Sequence, residues 1–322
     1  MGKYVLQRVG LMIITFLAIT VTLFALVRFL VPAEVQYGPQ QALEQARLEA
    51  LGYDKPIIEQ LWIFVKNIFT KGDFGTSWKI AYMQPVGQVF FEALPPTVLI
   101  NVYSLLISVP LGLAIGILCA RKKGKWIDGA FSVLIMVFIS LPSLVTAFIL
   151  QYFLGYKGDL PITTSSLYDA GGNFFTWEMF RSQILPVLAL SLPTVASLAR
   201  FTRAEMIESL ESDYVTFARS LGIPKRKIVY HYALKNATVP ILPMLLSLVV
   251  GVFSGSFIIE QIFAVPGVAK LMLTAIDKLD YDVFIACSMF YTFIGLFSSI
   301  VIDITYSLVD PRIRMGGNKY DF

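Results

Sequence analysis

Charge is scarce in this chain. Of its 322 residues, 15% are charged and 56% are apolar, a balance that excludes an ordinary soluble globular protein. Cysteine is nearly absent: Cys119 and Cys287 both fall inside apolar runs and read as buried thiols rather than as a disulfide or a metal pair. The single histidine, His231, has no cysteine or carboxylate at ligand spacing and reads as a packing residue at an interface, not as a ligand or base. H-E-x-x-H is missing, and Gly255-Ser256 lacks the flanking residues of a serine nucleophile, so an intramembrane protease fits poorly. No G-x-x-x-x-G-K-[ST] occurs, so the chain has no Walker-type loop for nucleotide phosphates. The net charge of +4 is too small to suggest nucleic acid as a partner. No internal repeat or low-complexity segment is present. No cleavable leader is expected either, because the first apolar run, 9–31, is too long for a signal core and has no cleavage site.

What the chain has instead is long apolar runs. Six read as spans, 9–31, 98–120, 130–154, 184–198, 237–259 and 283–309, and all but the fourth reach by themselves the roughly 20 residues needed to cross a hydrocarbon layer about 30 Å thick. The expected class is therefore an all-α polytopic membrane protein with six transmembrane helices. The fourth run carries Pro186 and Pro193 and is expected to continue as a helix past the membrane surface, through Arg200 and Arg203, to about Leu210. One side of the membrane collects sixteen of the twenty-six Lys and Arg, the other nine, with Arg28 inside the first run. By the positive-inside rule both termini and residues 213–240 are expected to be cytoplasmic, in a multi-pass protein of the cell membrane. The expected division is 1–31 as N-terminus and first span, 32–96 as an external subdomain, and 97–322 as a five-helix core. Within 32–96, residues 40–51 and 57–69 read as helices, Gly72-Asp-Phe-Gly75 as a turn, and Pro95-Pro96 as the return to the membrane.

Ionisable groups inside apolar spans must face protein or water, so they are singled out. Glu260 closes the fifth run and reads either as lining a pathway or as bracing the external loop. With Phe263, Pro266 and Gly267 it forms a candidate external gate. Asp303, in the sixth run, is weighed as a pathway residue against a structural one paired with an arginine. Gly112/Gly116 and Gly251/Gly255 are small-x-x-x-small pairs, suited to close helix contact within the chain or between subunits, or else incidental.

Residues 213–240 interrupt the apolar pattern. Asp213 reads as an N-cap, and Tyr214, Phe217, Ala218 and Leu221 follow at i, i+3, i+4 and i+7, one apolar stripe with Arg219 off it. Gly222 stands where a left-handed residue would end the helix, and Pro224 suits the first turn of a second one that opens with Lys225, Arg226 and Lys227. The result is a basic, amphipathic helix–turn–helix that docks on a partner through Phe217 and Leu221. The alternative is a pair lying flat with these residues among acyl chains.

Three motifs carry a family resemblance. Asp213-Tyr-Val-Thr-Phe-Ala-Arg-Ser-Leu-Gly222, followed by Ala233-Leu-Lys-Asn-Ala237 and Pro240, resembles the cytoplasmic EAA-type loop of ABC-importer permeases in its peptide-permease variant; of the E-A-A letters only Ala218 remains. Glu260-Gln-Ile-Phe-Ala-Val-Pro-Gly267 and Leu308-Val-Asp-Pro-Arg-Ile-Arg314 are similar to further motifs of the B-type subunit of di- and oligopeptide permeases. The chain departs from that pattern at Pro32-Ala-Glu-Val35, where the family often has Pro-Gly-Asp-Pro, and at Ala269, where it often has glycine. The resemblance implies a type I-like importer permease fold with a cytoplasmic coupling helix pair. It also implies half of a pathway for peptides, completed by a second homologous permease, two cytoplasmic ABC ATPases and an external substrate-binding protein. No covalent chemistry and no cofactor belong to this chain; ATP and Mg would be held by the ATPases. The same pattern serves nickel and glutathione importers. A secondary carrier or membrane enzyme, the other class, would need buried coupling or catalytic groups that the spans hardly offer.

Overall fold

The computed structural model describes residues 2–30, 41–50, 52–165 and 173–309. The Pro32–Val35 departure and most of the C-terminal motif, from Asp310 on, lie outside them. The chain is an all-α polytopic membrane protein. In order, its elements are α1 Gly2–Leu30, α2 Gln41–Ala50, α3 Ile57–Lys71, β1 Thr76–Ser77, β2 Gln84–Pro85, α4 Val86–Arg121, α5 Trp126–Ser140, α6 Ser143–Leu150, α7 Trp177–Glu211, α8 Asp213–Ser220, α9 Lys225–Lys227, α10 Leu234–Val250, α11 Phe257–Ile262, α12 Val268–Asp277 and α13 Tyr281–Val309. Among the described residues, the two-residue antiparallel ladder of β1 and β2 is the only sheet. Among the described residues, five helices are long and apolar enough to cross a membrane, and the bent pair α5–α6 makes six if it counts as one span.

Three expected boundaries differ from the structure, each for a reason visible in the backbone. Pro95-Pro96 does not stand at the start of a helix, because α4 begins at Val86 and runs through both prolines. Proline's fixed φ is helical, and what it forfeits is the bond to the carbonyl four residues back. The third apolar run is not one straight helix: it breaks at Leu141-Pro142 and bends by 106°. The residue before a proline is pushed from the α region, and Leu141 accordingly sits at φ −71°, ψ 125°. The fifth run breaks after Gly251–Phe253, a single 3-10 turn, and resumes at α11. Gly255 lies in the break with a left-handed φ of 61°, which L side chains resist and glycine accepts.

The chain divides into two compact units. The first comprises Met1–Pro95 and Gly267–Phe297. Its core joins Val86 and Phe90 of α4 to Val268 of α12 and Val283 of α13, with a second cluster of Phe24, Phe64 and Ile285. Here α2 and α3 form where the sequence pattern placed helices, and Gly72 caps α3 in a left-handed conformation. Two carboxylates that sequence reasoning missed hold this unit. The buried Asp280 Oδ2 accepts the Ser77 hydroxyl at 2.6 Å and the N–H groups of Trp78, Lys79 and Ile80 at 2.9–3.1 Å. Asp282 lies 4.0 Å from the Arg28 guanidinium, both side chains being 4% exposed. Arg28 also stacks 3.7 Å from the Tyr53 ring centroid, so the cation in the first span is held by a carboxylate and an aromatic face.

The second unit, Pro96–Pro266 and Ser298–Phe322, is built on α7, against which α5, α6 and α10 pack. Leu185, Leu198, Ala199 and Met206 of α7 are fully buried. Gly112 and Gly116 let α4 approach: a Cβ on Gly116 would stand 2.5 Å from the Thr202 Cβ and 2.8 Å from the Ala199 carbonyl. This pair therefore serves a contact within the chain. Its counterpart does not, since a Cβ on Gly251 meets nothing within 4 Å and Gly255 is not helical. Asp128, near the start of α5, accepts from Nε and Nη2 of the Arg203 guanidinium, at 2.6 and 2.8 Å, tying α5 to the basic extension of α7. Both cysteines are buried and unpaired.

Candidate functional site

The extension of α7 to Glu211 sets the root of the loop. The cap position of α8 is Ser212, not Asp213: Ser212 has extended backbone angles, while Asp213 is the first helical residue, where its charge complements the helix dipole. The Ser212 hydroxyl donates back to the Ser209 carbonyl at 2.6 Å instead of capping forward. The Ser209 hydroxyl bonds both the Tyr214 hydroxyl and, at 2.9 Å, the Ala233 carbonyl, which fastens the base of α8 to the following helix. Burial pushes the Tyr214 phenol up, but hydrogen bonds with Ser209, Ser212 and Asn236 outweigh it and hold the phenol below its ordinary value.

The C-terminus of α8 is a Schellman motif. Gly222 takes a left-handed φ of 73°, its N–H donates to the Arg219 carbonyl at 3.0 Å, and the Ile223 N–H donates to Ala218 at 3.3 Å. Ile223 then packs near Ala218, the hydrophobic contact that usually accompanies this bond pattern. Pro224 is the residue before the next helix rather than its first turn, and α9 starts at Lys225. That helix does not end before the membrane. It widens into a π-helical segment, Ile228–Ala233, and runs straight into α10, so the expected helix pair is one short helix leaning on the foot of a long one.

The apolar stripe divides between two faces. Val215 and Ala218 are buried against Ile228, flanked by Leu210, Ile223 and Tyr232. Phe217 and Leu221 point away and are 65% and 63% exposed. Tyr214 is partly exposed, and the Arg219 guanidinium donates to the Leu210 carbonyl at 3.1 Å. Val215 and Ile228 were missed as anchors. The i, i+3 spacing of Val215 and Ala218 was a signal for them, masked by the larger side chains beside it. Lys225 is exposed, as is His231.

The other candidate cluster surrounds α11. Ser256 caps it, accepting from the Ile259 N–H at 3.4 Å. Glu260 is fully buried, and the Thr97 hydroxyl donates to its Oε1 at 2.9 Å. Phe263 is likewise buried, and its carbonyl accepts the Thr164 N–H at 2.7 Å. Gln151 donates to the carbonyls of Ile162 and Ile262, completing a polar tie around this turn. Pro266 is exposed, Gly267 precedes α12, and Asp303 is half-buried on α13. Among the described residues, no group of three or more His, Cys, Asp or Glu is placed to hold a metal ion.

Comparison with known proteins agrees with this architecture. Residues 112–315 match the model of the family described as binding-protein-dependent transport system inner membrane component. The dipeptide transport system permease protein DppB of Lactococcus lactis subsp. cremoris (strain MG1363) is 34% identical over 98% of this chain and 100% of its own. DppB of Bacillus subtilis (strain 168) is 32% identical over 98% of this chain and 99% of its own. A chain from a crystal structure of an amino acid ABC transporter with histidines shares the fold, with a TM-score of 0.52 at 20% identity over 69% of this chain and 94% of that one. Taken with the apolar helices and the anchored loop between α7 and α10, the match over most of the core means that this chain belongs to the binding-protein-dependent transport system inner membrane component family.

Proposed function

We propose that this chain is the permease subunit of an ATP-driven importer, forming half of a translocation pathway for peptides delivered by an external binding protein. The observation that carries the reading is the exposed pair Phe217 and Leu221 on a helix whose opposite face is fixed by Val215, Ala218 and Ile228. A helix anchored on one side and apolar on the other is a lever: force on its outer face passes through Ile228 into α10. Two ATPases would supply that force from the cytoplasm, where the basic residues would place the loop and both termini. A second, homologous permease would complete the pathway. Burial of Phe217 and Leu221 in an ATPase groove would contribute roughly 1.5–3 kcal/mol each. The peptide substrate rests on the relatives named as dipeptide permeases. At the opposite end, Glu260 with the Phe263–Pro266–Gly267 turn would set the mouth by holding α11 rather than by touching substrate.

The test is co-purification from detergent with the ATPases. Phe217→Asp places a carboxylate on the docking face without touching the anchor, so the permease is expected to fold while losing its ATPases and substrate-stimulated hydrolysis. Full retention of both would refute the docking role of α8.

A further inference from the structure

Beside the coupling helix lies a cleft of about 1160 Å³ that the transport reading does not use. Arg121, Lys122, Lys123 and Lys125, from the turn between α4 and α5, line one wall. Arg219, Lys225 and Arg226 line the other. Glu211 is the one carboxylate in the lining, and Lys123 already engages it. Seven cations around a single, spent anion repel one another and focus a positive potential into the cleft. Apart from the Tyr230 hydroxyl, which accepts from Arg121, its remaining lining, including Ile207, Leu210 and Val229, is apolar. Phe217 and Leu221 do not line it, although Arg219 and Lys225 belong to the same loop.

Its depth is marked by Trp126. This first residue of the apolar helix α5 is 80% exposed, and an exposed indole at the end of an apolar helix sits at head-group level. A basic cleft at that level, with an apolar floor, matches a ligand that is a phosphate ester at one end and hydrocarbon at the other. We propose that the cleft binds the head group of an anionic phospholipid, a site independent of what the transporter carries.

The experiment uses the full chain in zwitterionic detergent micelles, titrated with phosphatidylglycerol or phosphatidylcholine and read by lipid adducts in native mass spectrometry and by the unfolding midpoint. Phosphatidylglycerol is expected to bind and raise the midpoint, and phosphatidylcholine to do neither. Each cation near the head groups contributes roughly fivefold, so the triple variant Arg121→Gln, Lys122→Gln, Arg226→Gln should bind roughly a hundredfold more weakly. A control that removes as much charge elsewhere, Lys66→Gln, Lys71→Gln, Lys79→Gln, should bind like the wild type. Should the cleft triple variant fail to fold, Lys122→Gln and Arg226→Gln singly are each expected to show roughly the fivefold loss. Equal binding of both lipids, equal loss in the control, or no loss in the cleft variants would overturn the proposal. Displacement of the lipid by millimolar inorganic phosphate would overturn it too, in favour of a soluble phosphate-bearing ligand.

Discussion

Phe217 in α8 is 65% exposed and Glu260 in α11 is fully buried, although both stand on short helices beside a break between long apolar ones. The helix α8 turns its small residues, Val215 and Ala218, inward and holds the large ones out. At α11 the functional-looking side chains, Glu260 and the capping Phe263, are turned in; the Glu260 carboxylate accepts from the Thr97 hydroxyl, and the Phe263 main-chain carbonyl accepts from the Thr164 N–H. A residue that a partner must grip has to be available, and one that braces a turn has to be enclosed. On the proposed function the two regions would divide the work: one would receive force, and the other would keep its shape while force passes.

The largest expected effect breaks the first region at its anchor. Val215→Asp buries an unpaired carboxylate against Ile228 and should cost more than about 3 kcal/mol locally. It would release α8 altogether, so that both ATPase binding and protection of residues 213–221 in hydrogen exchange are lost. Phe217→Asp should lose the ATPases and leave that protection intact, and the contrast between the two variants separates anchor from grip. In the second region, Glu260→Ala removes the carboxylate that accepts from the buried Thr97 hydroxyl and should lower stability by about 1–3 kcal/mol in denaturant or thermal titration. Glu260→Gln keeps a carbonyl acceptor and should recover most of that loss, whereas a residue contacting substrate would not be rescued in uptake by the amide. Smaller is Gly222→Ala, which forces a side chain into a left-handed conformation at about 1 kcal/mol and should reduce coupled hydrolysis partially. Least is Lys225→Ala, exposed and off the stripe, expected within about 0.5 kcal/mol and nearly silent in ATPase co-purification.

What could be read in the sequence was local. Apolar runs marked the crossing segments, the 3.6-residue period marked α3 and α8, and Gly222 marked the end of α8. The α7 extension was legible because Arg200 and Arg203 continue a helical pattern without a breaker until Ser212. Proline was legible only in part, because its effect depends on the residue before it and on what packs around it. In Pro95-Pro96 the ring fits the helix and no break follows, while at Leu141-Pro142 the preceding residue is driven extended and the apolar run folds back. The remaining misses are partnerships across long separations. Asp280 with Ser77, Asp282 with Arg28, Asp128 with Arg203 and Glu260 with Thr97 leave no periodic trace, since each depends on helices meeting in space. The two glycine pairs make the same point: identical spacing, and one contact between helices.

The π-helical segment Ile228–Ala233 sets a phase. A π-turn is one residue more than the α-helix needs, and each residue of an α-helix advances about 100° around the axis. The extra residue therefore offsets the azimuth at which the foot of α10 meets α8 by about 100° from that of the membrane-embedded part. Deleting the exposed His231 would give the helix its regular bonds and swing Ile228 about a quarter turn from Val215 and Ala218, leaving α8 intact but facing the wrong way. On the proposed function, compass bearing rather than strength would decide whether a push on Phe217 reaches the membrane.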